Sequence, residues 1–124
     1  MSAERPGLFF LSDKLESPPQ IGNQIHVLAL IRAVSPLVPT RGFCWMAASP
    51  PPPASLVPLD LAAAPRGNLA RKRYYVTRAF EHIDREAAPG SVAWVRSYST
   101  ALLALPGLHR RRRAGLRSVY DASS

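Results

Sequence analysis

The sequence predicts a mostly disordered chain with one small all-α element, a helical hairpin at about 68–105, and no compact globular fold. Three observations carry that expectation. The 124 residues include 13 Pro and 7 Gly, and proline both fixes φ and removes a backbone donor, which works against regular elements. Leu, Ile, Val and Phe supply 31 residues, a quarter of the chain, enough for some burial but modest for a length that allows one ordinary domain at most. The clearest helical periodicity of apolar side chains runs over Leu69–Ala88, with a second helical face expected over Ser91–Leu105.

Residues 1–66 read as a low-order, Pro-rich region. In the first twenty, apolar pieces such as Leu8-Phe9-Phe10-Leu11 are broken by Pro6, Gly7, Pro18 and Pro19, the pattern of loop. The run Ile25–Ile31 follows, and Val27, Leu30, Ile31 and Val34 keep helical spacing. It predicts a short helix over 23–34, capped by Asn23 and closed before Pro36, with a buried strand as the alternative. Pro36, Pro39, Pro50 to Pro53, Pro58 and Pro65 then crowd residues 36–66, which predicts extended, polyproline-II-like chain. Met46-Ala47-Ala48-Ser49 reads as a second start, so the true start is Met1 or Met46.

Residues 67–105 form the expected hairpin. Leu69, Val76, Phe80, Ile83 and Ala87 make one helical stripe, Asn68 is placed to cap it, and Pro89-Gly90 stops it. Glu81 precedes Arg85 by four residues, a pair contributing about 0.3 kcal/mol. A second helix is expected from Ser91 to Leu105, with Trp94, Tyr98 and Leu105 on one face and Pro106-Gly107 as its end. Val92, Trp94 and Val95 leave a strand as the alternative. A hairpin below about 40 residues buries too little apolar surface to stand alone. Val76, Phe80, Ile83, Trp94 and Tyr98 are therefore expected to face a partner. Residues 106–124 read as a basic disordered tail.

Charge divides the chain sharply. Residues 1–60 balance at zero, and the net +8 lies in residues 61–124, where 12 basic side chains face Glu81, Asp84, Glu86 and Asp121. One-sided basic charge is the profile of a chain that meets phosphate or another polyanion. Arg71-Lys72-Arg73 and Arg110-Arg111-Arg112-Arg113 are the candidate anion-binding residues, because guanidinium groups fork onto phosphate oxygens and Tyr74 and Tyr75 can stack on unpaired bases. Neither a KH loop nor an RRM strand signature accompanies them. The same runs are also what solvated basic surface looks like. With 14 Arg against 2 Lys, the composition further fits a young or non-standard GC-rich reading frame with no evolved biochemical function.

Other chemistry is thin. His82 and Glu86 stand at i, i+4, yet two ligands without a third make no metal site. The single cysteine, Cys44, has no flanking nucleophile signature and excludes an internal disulfide. No cofactor, metal or catalytic residue is expected, and the chain reads as non-enzymatic. Pro36-Leu37-Val38-Pro39-Thr40-Arg41 matches an SH3-type ligand, a pattern that Pro- and Arg-rich chains supply by chance. Residues 92–113 combine an apolar stretch with the arginine run, which suits the surface of an anionic membrane better than a span. The N-terminus lacks signal-peptide features, so a nuclear or cytoplasmic location is the default expectation.

Overall fold

The computed structural model describes residues 5–17, 22–46, 55–59 and 63–121. Leu8-Phe9-Phe10-Leu11, expected to be loop, opens β1 (Leu8–Ser17), the central strand of a five-stranded sheet. The other elements follow as α1 (Gly22–Val34), β2 (Thr40–Met46), β3 (Leu56–Leu59), α2 (Asn68–Glu86), β4 (Val92–Arg96), α3 (Tyr98–Arg111), a 3-10 turn over Arg112–Ala114, and β5 (Arg117–Asp121). All strand pairs are parallel and the spatial order is β3-β2-β1-β4-β5. The expectation of a mostly disordered, all-α chain is thus overturned: this is an α/β fold, and its strands come from residues 1–66, 67–105 and 106–124 alike.

Strand composition explains the misreading. A parallel sheet is covered on both faces, so its strands appear as short unbroken apolar runs without polar alternation. Phe9, Leu11, Phe43, Trp45, Val57, Leu59, Ala93 and Val95 point to one face, where α2 and α3 cover them. Phe10, Cys44 and Leu56 point to the other, against Val27, Leu28 and Ile31 of α1. Phe10 stacks there on Trp94 at 5.6 Å between centroids. Tyr75 of α2 is fully buried; its hydroxyl accepts the Ser12 N–H at 2.8 Å and donates to the Phe43 carbonyl, tying helix to sheet.

Prolines and glycines that read as breakers have local uses. Pro36 and Pro39 lie in the α1–β2 connection, and residues 40–46 and 56–59 are strands, not polyproline-II chain. Pro50 to Pro53 and residues 47–49 lie outside the described residues. Pro106 sits inside α3, which runs on to Arg111 instead of stopping at Leu105. Gly107 makes that continuation work, because a Cβ there would come within 2.6 Å of the Phe80 ring. The stretch 92–96 takes the strand alternative, and Arg110 and Arg111 belong to an ordered helix, not to a tail.

Candidate polyanion interface

Helices α2 and α3 lie side by side and parallel, since each leaves the carboxyl end of a strand and returns to the amino edge of the sheet. Two contacts fix the register: Lys72 Nζ donates to Ser99 Oγ at 2.9 Å near one end, and Arg111 meets Asp84 near the other. The twelve residues from Lys72 to Asp84 span about 18 Å at 1.5 Å per residue. Arg71-Lys72-Arg73 therefore lies at the carboxyl edge and Arg110–Arg113 at the amino edge, and the structure does not bring the two runs together.

Within each run the side chains divide by role. Arg111 forks onto Asp84, with Nε on one carboxylate oxygen at 2.7 Å and Nη2 on the other at 2.8 Å. Its guanidinium also lies 4.1 Å from the centre of the Phe80 ring, and Nη1 donates to the Gly107 carbonyl. Arg111 is thus committed to holding α3 on α2. That hydrogen bond keeps the Asp84 carboxyl below its ordinary pKa, against a smaller opposing effect of burial. Arg71, Arg73, Arg110, Arg112 and Arg113 are exposed.

The acids of the basic half are all engaged. Arg78 pairs with Glu81 at 2.6 Å and Arg41 with Glu86 at 2.9 Å. Asp121 accepts from Trp94 Nε1 at 3.2 Å, with Arg96 Nη1 at 3.9 Å. The four acids of residues 61–121 are thus engaged by neighbours within the fold, and among the described residues none of them pairs with the exposed Arg110, Arg112 or Arg113 at the amino end of the sheet. Beside them runs an open groove of about 790 Å³, whose lining includes Leu105, Leu108 and Leu116 together with His109, Arg112 and Arg117. Its volume falls within the usual range for ligand sites, about 300–1,000 Å³.

The residues expected to face a partner are distributed differently. Val76, Phe80 and Ile83 are buried in the core shared with the sheet and α3, where the Phe80 ring lies against Gly107 and Arg111, so this chain covers them itself. Trp94 is half-buried on the opposite face, packed with the α1 cluster. Tyr98 is exposed, as are Leu102 and Leu105 along the same helix. Arg41 of the SH3-like segment is held by Glu86, and Thr40 is buried at the start of β2.

The sheet's topological switch lies between β1 and β4, and open α/β sheets tend to bind ligands at the carboxyl ends of strands flanking such a point. Ser97, at φ 86°, is the one non-glycine residue with positive φ among those described, and it joins β4 to α3 there. Its hydroxyl lies 3.2 Å from that of Ser99. Nothing in the sequence flagged this turn, since Arg-Ser-Tyr lacks the glycines that usually mark one.

Cys44 is buried within the α1 cluster, and burial pushes its thiol pKa up to about 12. His82 is held below its usual range, first by burial and next by Arg85, with Glu86 opposing. Among the described residues no three His, Cys, Asp or Glu side chains converge as metal ligands, and no helix is long and apolar enough to cross a membrane. Comparison with family models, with curated proteins and with solved structures finds no match to this chain.

Proposed function

We propose that the chain is a non-catalytic basic α/β module that binds single-stranded nucleic acid at the amino edge of its sheet. One observation carries this reading. Every described acid of residues 61–121 is engaged within the fold, while Arg110, Arg112 and Arg113 project from a helix end and 3-10 turn beside an open groove of mixed leucine and polar lining. Held on an ordered scaffold, these guanidiniums lose less freedom on meeting a phosphate backbone than they would on a coil. The groove beside them mixes leucine side chains with polar and charged ones, so an unpaired base can pack on the leucines while its polar edge meets the charged lining.

The test is a fluorescence-anisotropy titration of a labelled single-stranded oligonucleotide at stepped salt, comparing wild type with R110A/R112A/R113A. Removing three phosphate contacts lowers the slope of log affinity against log salt by about 2, at roughly 0.7 per contact on a single strand. An unchanged slope overturns the assignment to this edge. The exposed Tyr98, Leu102 and Leu105 favour a second reading, attachment to an anionic membrane surface. Sedimentation with anionic vesicles, and none of the oligonucleotide binding, would select it.

A further inference from the structure

The two edges of the sheet are not equivalent. In a parallel ladder alternate residues direct both N–H and C=O to one neighbour, and the residues between direct theirs the other way. On β3 the Gly42 N–H bonds to Ser55 O at 2.7 Å, so Ser55, Val57 and Leu59 face β2, and Leu56 and Pro58 face the open edge. Pro58 has no N–H to offer, and proline at such a position discourages another strand from adding. On β5 the Arg117 N–H bonds to Ser91 O at 2.9 Å, so Arg117, Val119 and Asp121 face β4 while Ser118 and Tyr120 present their N–H and C=O outward. Neither is proline, and Val119 and Tyr120 are 45% and 48% exposed.

We propose that β5 is a homodimerisation edge, pairing antiparallel with β5 of a second copy of this chain about a two-fold axis at Val119. Two independent features select that occupant and register. Full overlap of a five-residue strand with its own copy sets Ser118 opposite Tyr120 of the other chain, twice. These are the residues whose backbone groups face outward, and each such pair exchanges two N–H···O bonds. The same register sets Arg117 opposite Asp121, also twice, at the non-hydrogen-bonded sites where side chains approach most closely. Arg117 and Asp121 share the sheet face that carries Trp94 and α1, and the Asp121 carboxylate, held by Trp94 Nε1 and near Arg96 within its own chain, would there add Arg117 of the second copy as a further partner. Pairing parallel and in register would instead oppose like with like at both ends. The antiparallel seam is isologous and closes at two chains, giving a ten-stranded sheet whose outer edges are the two proline-bearing β3 strands.

Sedimentation velocity of the full chain, without nucleic acid, reads the assembly directly. Twice the 13.5 kDa chain mass is expected for wild type. S118P, which deletes an outward donor and leaves every β4–β5 bond intact, is expected to be monomeric with an unchanged circular-dichroism spectrum. R117D and D121K set like charges across the seam, so each alone is expected to be monomeric and an equimolar mixture to recover the dimer mass. Val119→Cys is expected to oxidise to a covalent dimer, because the residue opposes itself, whereas Ser118→Cys is not. A monomeric wild type overturns the proposal. So does a dimer that S118P and the single charge reversals leave intact, which would place the contact on another surface.

Discussion

Gly107 is the residue on which the α2–α3 contact turns. Any Cβ there meets the Phe80 ring at 2.6 Å, and Phe80 in turn carries the Arg111 guanidinium. Gly107→Ala is expected to destabilise by about 1–3 kcal/mol through overpacking, read as a lower denaturation midpoint. A gain of stability from the extra helix propensity of Ala would show that the ring can move aside. Asp84 supplies a pH signature at the other end of that contact. Its folded pKa lies below the ordinary value of 3.8, so the pair contributes fully above that value and is lost as pH falls through the folded one. Because the Asp84 side chain is half exposed, D84N should cost under about 1 kcal/mol near neutrality, and the difference should vanish in acid. A gap in Tm that persists there would mean Asp84 acts through something other than its charge. Cys44 reports on the core: with its thiol pKa raised to about 12, it should label with a disulfide reagent at the rate of global opening, not at the rate of a free thiol.

At the scale of elements, α1 and α2 lie near the bounds their spacing predicts, α3 is displaced from the helix expected over 91–105, and of the five strands only 92–96 is anticipated, as an alternative. Val76, Phe80 and Ile83 sit on the buried stripe of α2 that their spacing predicts, and α1 covers 23–34 within a residue. The cap differs, since Asn68 is the first helical residue and Gly67, at φ 97°, takes the preceding position without a side-chain hydrogen bond. The strands escaped because three to four consecutive apolar residues, such as Leu8–Leu11 or Phe43–Trp45, carry no periodicity of their own. Three helices, α2 and α3 on one face and α1 on the other, together with neighbouring strands supply the cover that makes such runs strands. α3 began as the end of an expected helix and continues past Pro106 because Gly107 and Arg111 anchor its last turn on α2. Proline in a helix interior still forfeits a backbone bond, so Pro106→Ala is expected to raise Tm. A fall would show that the ring's own packing outweighs the lost bond.

Taken whole, the molecule depends on β1, which pairs with β2 on one side and β4 on the other. A chain begun at Met46 would lack β1, α1 and all but the last residue of β2. It is expected to lose cooperative unfolding and slow amide exchange in β4, whereas the full chain should protect β1 and β4 together. Protection of 92–96 in the shortened chain would mean that α2, β4 and α3 fold by themselves. The basic surface was only partly legible. Sequence named the arginines, but which of them are free depends on Asp84 meeting Arg111 27 residues away in the chain and Glu86 meeting Arg41 across 45. By itself the sequence determined where the net charge lies and which segments can be helical, because charge is additive and helix periodicity is local. Only the tertiary structure decided that the apolar runs are strands, that the two basic runs lie at opposite ends of the strands, and that β3 and β5 are the edge strands of the sheet. Each of these is set by pairing between residues far apart in the chain, which composition and spacing do not encode.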